Sequence, residues 1–532
     1  MVWSNIAARA RDELRSRTLI TSVVAAIAFF FAAAAWALAT PPMSSADDDF
    51  HVTSIVCSQE DSPFCIKTDR SAALVPKSLT ETPCYAQRVD RGADCFRWQP
   101  EWVETSRWNS ERGDRVPVFY TVMSWFVGED LWRSILTMRL ANSLFAAVVF
   151  GITLAAIRLA ARRALALSIV AVLFPVGVFH VASTNPTGWA IIGLSVFWVY
   201  LIEAWSDGRG VKIRLGFLIA AAFAALVAVA GRSDSAVYLM ASVVAVALVR
   251  YSFLRRSPWW GAPILALLAV ALVFGWDRIR SALSFVTSDL PNLSGVVSEW
   301  WPRFHLLDWP LLMHYVVGGS TPVNMPYPIS YTSGVGWDSR AGIPTEFPPT
   351  VSILALLAVA GVVWIGLSSY SRRKLMAVAI VLITIFVMSF GWIWLSEFRA
   401  WTQARYYVAP VMVLVGLISF SPRSNPYFRK AQAVLLWFLV TVAGTAALKT
   451  MVGRTISGQA LVPGHHWSVE NNYTMWWWES LGIGWPPSPN YTVVIGGVAL
   501  AVLAATLLSL CQLKAHEPHS RRQIGPGRIR EH

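Results

Sequence analysis

Thr18-Leu-Ile-Thr-Ser-Val-Val-Ala-Ala-Ile-Ala-Phe-Phe-Phe-Ala-Ala-Ala-Ala-Trp-Ala-Leu-Ala-Thr40 is a run of 23 residues without a charge. As an α-helix it covers about 35 Å, enough to cross the ~30 Å hydrocarbon core of a bilayer. Comparable runs recur near 131–157, 164–183, 187–205, 214–230, 236–250, 259–275, 350–368, 375–395, 406–420, 431–448 and 491–511, roughly twelve in all. This pattern predicts an all-α polytopic membrane protein. Composition agrees: of 532 residues 55% are hydrophobic and 14% charged, and the mean hydropathy is +0.49. Soluble chains carry about 25% charge, so a soluble multidomain protein is excluded. Arg9, Arg11, Arg15 and Arg17 before the first run, and Ala37-Leu38-Ala39 at its end, imitate a signal peptide. A signal core is about 7–15 residues long, so a run of 23 predicts an uncleaved anchor instead.

The net charge of +13 would suit nucleic acid if it lay on one basic face, but it is divided by the spans. One set of connections holds the N-terminal tail, Arg158/Arg162/Arg163, Arg209/Lys212/Arg214, Arg250/Arg255/Arg256, Arg372/Arg373/Lys374, Arg423/Arg429/Lys430 and the C-terminal tail, with 24 Lys+Arg against 6 acids. The other set, with the long loops, holds 20 against 25. Positive-inside asymmetry therefore predicts cytoplasmic termini and external long loops, with the bilayer as partner and no nucleic acid.

The expected organisation is a cytoplasmic tail (1–17), a first span (18–40), an external loop (41–130), spans two to seven (131–275), a second external loop (276–349), spans eight to eleven (350–448), a third external loop (449–490), a last span (491–511) and a basic tail (512–532). Within the first loop, Arg115-Val-Pro-Val-Phe-Tyr-Thr-Val-Met-Ser-Trp-Phe126 is apolar but too short to span, and reads as an interfacial helix. The second loop is rich in Trp, Tyr, Pro and Gly, and the third holds His465, His466 and Trp476-Trp477-Trp478. Such aromatics suit interfacial anchoring, and also suit sugar rings.

Four of the five cysteines, Cys57, Cys65, Cys84 and Cys95, share the first loop, while Cys511 ends the last span. An even set outside the cytoplasm predicts two disulfides with three possible pairings. Spacings of 7, 18 and 10 intervening residues fit no short zinc knuckle.

Candidate chemistry lies in the same loop. Asp47-Asp48-Asp49-Phe50-His51 places three adjacent carboxylates just beyond the first span. Desolvation and mutual repulsion raise carboxylate pKa values, as a general base requires. The same cluster also suits the first turn of a following helix. A divalent cation at Asp, Asp and His is conceivable, but no further ligand is identifiable, and no cofactor is predicted. Arg232, in Gly231-Arg-Ser-Asp234, and Arg405, followed by Tyr406, fall at span ends. Guanidinium groups there suit a lipid-linked phosphate, headgroup snorkelling, or for Arg232 a pair with Asp234. Asn185-Pro186-Thr187-Gly188 opens a span as a helix cap, while Gly336-Trp337-Asp338 and Glu346 precede the eighth. No Walker loop, Gly-x-Ser-x-Gly elbow, His-Glu-x-x-His or dinucleotide fingerprint is present.

The first span, the acidic loop, Pro117-Val-Phe-Tyr120 and Arg139-Leu140 together resemble the opening of GT-C-type membrane glycosyltransferases. More narrowly, the chain resembles a bacterial, actinobacterial family of multi-pass membrane proteins of unknown function. The motifs that carry the likeness are Asp47–His51, Asn185–Gly188, Gly336-Trp337-Asp338 and Ala404-Arg405-Tyr406-Tyr407-Val408-Ala409-Pro410. Asp48 stands where Glu is usual, Ala404 where Gly is usual, and no Leu separates Trp337 from Asp338.

The resemblance implies a GT-C-like bundle in a bacterial plasma membrane, moving a sugar from a polyprenyl-phosphate donor to an envelope glycan or glycolipid acceptor. Asp47 or Asp48 would be the base, with His51 orienting it or contacting phosphate. Arg232, Arg405, Tyr406, Asn185, Trp337 and Asp338 would line the substrate site. The alternatives are a transporter or flippase of lipid-linked saccharides, which favours mid-span polar residues and repeated halves, and a non-catalytic envelope-assembly scaffold.

Overall fold

The computed structural model describes residues 2–45, 47–81, 83–85, 92–110, 117–261, 349–367, 371–395, 405–421, 429–457, 477–480, 482, 484 and 488–512. The expected span 259–275 beyond Gly261, the expected loop 276–349 as far as residue 348, with Trp337, Asp338 and Glu346, the histidines His465 and His466, the tail from 513 and the side chain of Arg405 lie outside the described residues.

The described chain is mostly helical. Among the described residues, six helices are long and apolar enough to cross a membrane: Ser16–Ala39 (within α1, Val2–Ala39), α4 (Leu131–Ala156), α7 (Thr187–Ala204), α8 (Val211–Gly231), Lys430–Gly453 (within α14, Lys430–Ser457) and α16 (Pro489–Gln512). Shorter apolar helices are α9 (Ser235–Val249), Ile353–Leu367 of α11 (Pro349–Leu367) and Tyr406–Ser419 of α13 (Arg405–Ser419). The short α10 (Tyr251–Arg256) follows α9, and α12 (Arg372–Leu395) follows α11.

The run expected to span at 164–183 is not one helix. It forms α5 (Leu159–Ser168), a π-helical turn over Ile169–Leu173 and α6 (Val176–Val181). The break falls at Pro175, which offers no amide hydrogen to continue a helix. The segment is buried from Ala161 through Thr184, so its continuous apolarity reflects a core position. Every residue of α7 is likewise buried. Helix α7 thus forms the centre, with α8, α9, α13, α4 and α5 packed around it, and α1 lies between α4 and α16. Lipid-facing surfaces are marked by exposed Leu144, Val148 and Ile152 on α4 and by Ile219, Phe223 and Leu226 on α8.

Buried cations finish the helices. A helix C-terminus leaves carbonyls without intrahelical donors and carries partial negative charge. Arg162 Nη2 donates to Ile157 O at 2.6 Å beyond α4, Arg214 Nη1 to Ala204 O at 2.7 Å at the end of α7, and Lys374 Nζ to Gly366 O at 3.1 Å in α11. At this basic end Glu203, 1% exposed, accepts from Arg209 and from the Arg158 amide.

The opposite end carries the loop that follows α1. Its α2 (Asp48–Cys57) packs on α3 (Val118–Ser124) and beside an antiparallel sheet ordered β1 (Ile66–Lys67), β2 (Ala73–Pro76), β3 (Trp102–Thr105), with Ile66 opposite Leu74 and Leu74 opposite Glu104. The interfacial helix expected at 115–126 is α3, which buries Phe119, Tyr120 and Met123 and leaves Trp125 at its end 75% exposed. Two disulfides, Cys57–Cys65 and Cys84–Cys95, staple this loop, while Cys511 is free and buried. Peptide mapping of the denatured, unreduced protein should therefore find alkylation at Cys511 alone and crosslinked Cys57/Cys65 and Cys84/Cys95 peptides. Any other pairing would refute the assignment.

Candidate functional site

The junction between α1 and α2 gathers the charged groups. Helix α1 ends at Ala39, and its last carbonyls meet donors from distant parts of the chain. Trp477 and Trp478, in α15 (Trp477–Ser480), both donate Nε1–H to Leu38 O, at 3.2 and 2.8 Å. Arg139 of α4 donates Nη1–H to Thr40 O at 2.7 Å and Nη2–H to Pro41 O at 3.0 Å. The Tyr85 hydroxyl donates to Pro42 O at 2.6 Å.

The three carboxylates of 47–49 have separate environments. Asp47 precedes α2 with φ 63°, a left-handed conformation that Asp tolerates better than most residues. This kink sends its neighbour Asp48 inward, to 0% exposure. Asp48 Oδ2 accepts the Ser45 amide at 2.9 Å and lies 3.8 Å from Arg139 Nη2, while Oδ1 accepts the Thr184 hydroxyl at 2.7 Å. Asp47 and Asp49 instead meet Arg107, whose Nη2 lies 3.2 Å from each carboxylate and whose Nε also engages Asp49. Arg107 is held over α2 because the next-but-one amide, Asn109 N–H, donates to Ser54 Oγ at 2.8 Å. Its side chain is half exposed, so these pairs contribute at most about 1 kcal/mol each. His51 is buried and pairs with Tyr120, Nδ1 to hydroxyl 3.1 Å.

Burial pushes the Asp48 carboxyl up from 3.8 to about 6, against the opposing influence of Arg139 and the Thr184 and Ser45 donors. A raised acid pKa means that folding favours the protonated form. The stability contributed by this site is complete below about pH 4 and is lost as pH rises through about 6, a difference of about 3 kcal/mol. Thermal melts in detergent should therefore show stability declining between pH 4 and 7, with a shallower decline in Asp48→Asn. An identical slope in both proteins would assign the titration elsewhere.

Asn185 caps α7: its Oδ1 accepts the Thr187 amide at 3.0 Å. Arg232, at the end of α8, forms a two-point pair with Asp234, at 2.9 and 2.7 Å, and its guanidinium lies 3.7 Å from the Tyr406 ring centroid. A stacked, forked guanidinium is fixed in orientation. The elements meet through close backbone contact, since a side chain at Gly231 would come within 2.5 Å of Pro186 O. A continuous path therefore runs from Asp48 through Thr184, Asn185 and Pro186 to Gly231, Arg232 and Tyr406.

Arg107 and Thr184 escaped the sequence reading of the site, while Tyr120 and Arg139 entered it only within the stretches that carry the family likeness. Among the described residues no three His, Cys, Asp or Glu side chains converge as metal ligands.

A bundle with spanning helices, a disulfide-stapled loop and a cluster of charged groups at one end defines a polytopic helical membrane protein. Its family follows from sequence: residues 30–415 match the model described as predicted membrane protein (DUF2142), and the chain belongs to that family. No curated protein and no solved structure matches.

Proposed function

We propose that this protein is a GT-C-type glycosyltransferase of about twelve spans in a bacterial, actinobacterial plasma membrane, with both termini cytoplasmic. It moves a sugar from a polyprenyl-phosphate donor to an envelope glycan or glycolipid acceptor at the external end, where the stapled loop sits. The observation that supports this reading is the division of labour among the three carboxylates. Asp48 is locked inward by two donors and an ion pair with Arg139, whereas the Asp47 side chain is 17% exposed beside the half-exposed Arg107. Asp47 is therefore the base and Asp48 its anchor, with His51 and Tyr120 shaping the wall beside it.

In the reaction, the Asp47 carboxylate takes the acceptor hydroxyl proton as that oxygen bonds to the anomeric carbon. The bond from this carbon to phosphate breaks, and polyprenyl phosphate leaves with the electron pair. A single displacement inverts configuration and needs one base. Arg232 and Arg405 stabilise the leaving phosphate, where preoriented cations act most strongly. Tyr406 and Asn185 support that wall, and Trp337 and Asp338 belong to the loop expected to cover the sugar.

Purified protein given synthetic polyprenyl-phosphate arabinofuranose, mannose, glucose and galactose should release polyprenyl phosphate from one of them. Asp47→Asn should lower that rate by roughly 10²–10⁴-fold. Full activity in both Asp47→Asn and Asp48→Asn would refute the base assignment. A second reading, a scaffold that binds lipid-linked sugar without turning it over, is favoured by Arg107, which engages both Asp47 and Asp49. Binding without release from any donor would select it, and transport in a liposome flipping assay would select a flippase.

A further inference from the structure

We propose that the short helix α10 and the start of α12 form a site for an anionic phospholipid headgroup, in the leaflet at the basic end of the bundle. The site lies at the opposite end from the stapled loop and stands whether or not the protein transfers sugar. Helix α10 continues from α9 and is followed by a 3-10 turn over Pro258–Gly261. Its inner face anchors it: Phe253 is buried, and the Arg214 guanidinium lies 4.3 Å from the Phe253 ring centroid and 5.5 Å from that of Trp260. Helix α12 packs on α9 and brings Arg373 to the outer face of α10, its guanidinium 4.6 Å from the Tyr251 ring centroid. Arg255 follows Tyr251 by four residues, so it lies one turn along the same helix face, with Cβ atoms about 5–6 Å apart. Two exposed guanidinium groups therefore flank Tyr251.

What sets this pair apart is the lack of an acid. Nearby, Glu203 neutralises Arg209, and Asp207 meets Arg256 at 3.3 Å. Among the described residues no carboxylate and no other acceptor engages Arg255 or Arg373. Stacking on Tyr251 fixes the plane of Arg373 and leaves the N–H donors at its edge for a planar, two-point partner. The non-bridging oxygens of a phosphodiester match that fork and carry the missing negative charge. The surroundings select a lipid phosphate over a soluble one. Trp259, three residues beyond α10, is 85% exposed, and indoles so placed settle in the headgroup layer. Two cations without an acid also repel a choline or ethanolamine ammonium, which favours an anionic headgroup over a zwitterionic one.

The test titrates purified full-length protein in an uncharged detergent with phosphatidylglycerol, phosphatidylcholine and inorganic phosphate, and follows bound lipid by native mass spectrometry. Wild type should bind phosphatidylglycerol about tenfold more tightly than phosphatidylcholine, and inorganic phosphate should not displace it. Arg373→Gln and Arg255→Gln should each weaken phosphatidylglycerol binding by about fivefold to tenfold, the effect of one cation at a lipid surface. Arg256→Gln, whose cation is already matched by Asp207, should change it by less than about twofold. Arg373→Lys keeps the charge, loses the fork and the stack, and should fall nearly as far as Arg373→Gln. If Arg373→Gln does not fold, Tyr251→Leu removes the stack without removing a charge and should weaken binding about threefold. Equal losses in the Arg255, Arg256 and Arg373 variants would mean diffuse attraction and overturn the site. Full affinity in Arg373→Lys or Tyr251→Leu, equal binding of the two lipids, or displacement by inorganic phosphate overturns it as well.

Discussion

Arg139→Met should be among the most destabilising single substitutions in the loop-bearing end, costing about 3–5 kcal/mol. Arg139 and Asp48 are both 0% exposed, and Arg139 also supplies the donors for Thr40 O and Pro41 O. Removing the cation leaves a buried carboxylate with neutral donors only, and leaves two carbonyls at the end of α1 without partners. The double variant Arg139→Met/Asp48→Asn should recover part of the loss, because replacing both members of a buried pair is cheaper than orphaning one. The deficit of the single variant should also shrink in acid, where Asp48 is protonated. Thermal melts of the wild type, both single variants and the double variant at pH 5 and 7.5 measure the coupling directly. Additive losses at both pH values would show that the pair is not coupled.

Gly193→Val should separate α7 from α8 and cost several kcal/mol. A Cβ at this position lies 2.4 Å from Ala224 O, 2.6 Å from Ala228 N and 2.9 Å from Ala228 Cα, so it meets backbone, which cannot rotate away. Overpacking of a dense interior typically costs 1–3 kcal/mol even where flexible side chains can yield. Gly216, on α8 itself, has no atom within 4 Å of its built Cβ. Gly216→Ala should therefore be neutral or stabilising by about 0.5–1 kcal/mol, through helix preference alone. Monodispersity on size exclusion and melting temperature distinguish the two. Equal tolerance of both substitutions would mean that α7 and α8 do not approach as described.

The spans were legible because a membrane helix advertises itself by length and apolarity, yet the same signal did not reveal the break within 164–183, where the chain still runs from Arg162 at the basic end to Thr184 beside Asp48. A core segment broken at Pro175 is as apolar as a continuous span, since both avoid water, and composition does not distinguish a lipid neighbour from a protein one. The local pair Arg232–Asp234 was legible because its members lie two positions apart. Arg139–Asp48 and Thr184–Asp48 were not, since their members lie 91 and 136 positions apart and no periodicity encodes such a contact. The four loop cysteines announced two bridges, but pairing Cys57 with Cys65 required the short turn after α2. Which of three consecutive aspartates turns inward depends on the left-handed backbone at Asp47, a torsion that residue identity alone does not determine.

The placement of α1 between α4 and α16 has a consequence for assembly. Some 450 residues separate the end of α1 from the start of α16. At translation rates of about 5–20 residues per second, the first helix waits roughly 20–90 s for its C-terminal neighbour. During that time the Ala-rich flank of α1 faces lipid, a translocon or a chaperone instead of Gly496 and its neighbours. Helix α16 therefore works as a latch on a bundle begun some 450 residues earlier, and a nascent chain stalled before Pro489 would carry an open seam that quality-control proteases can recognise.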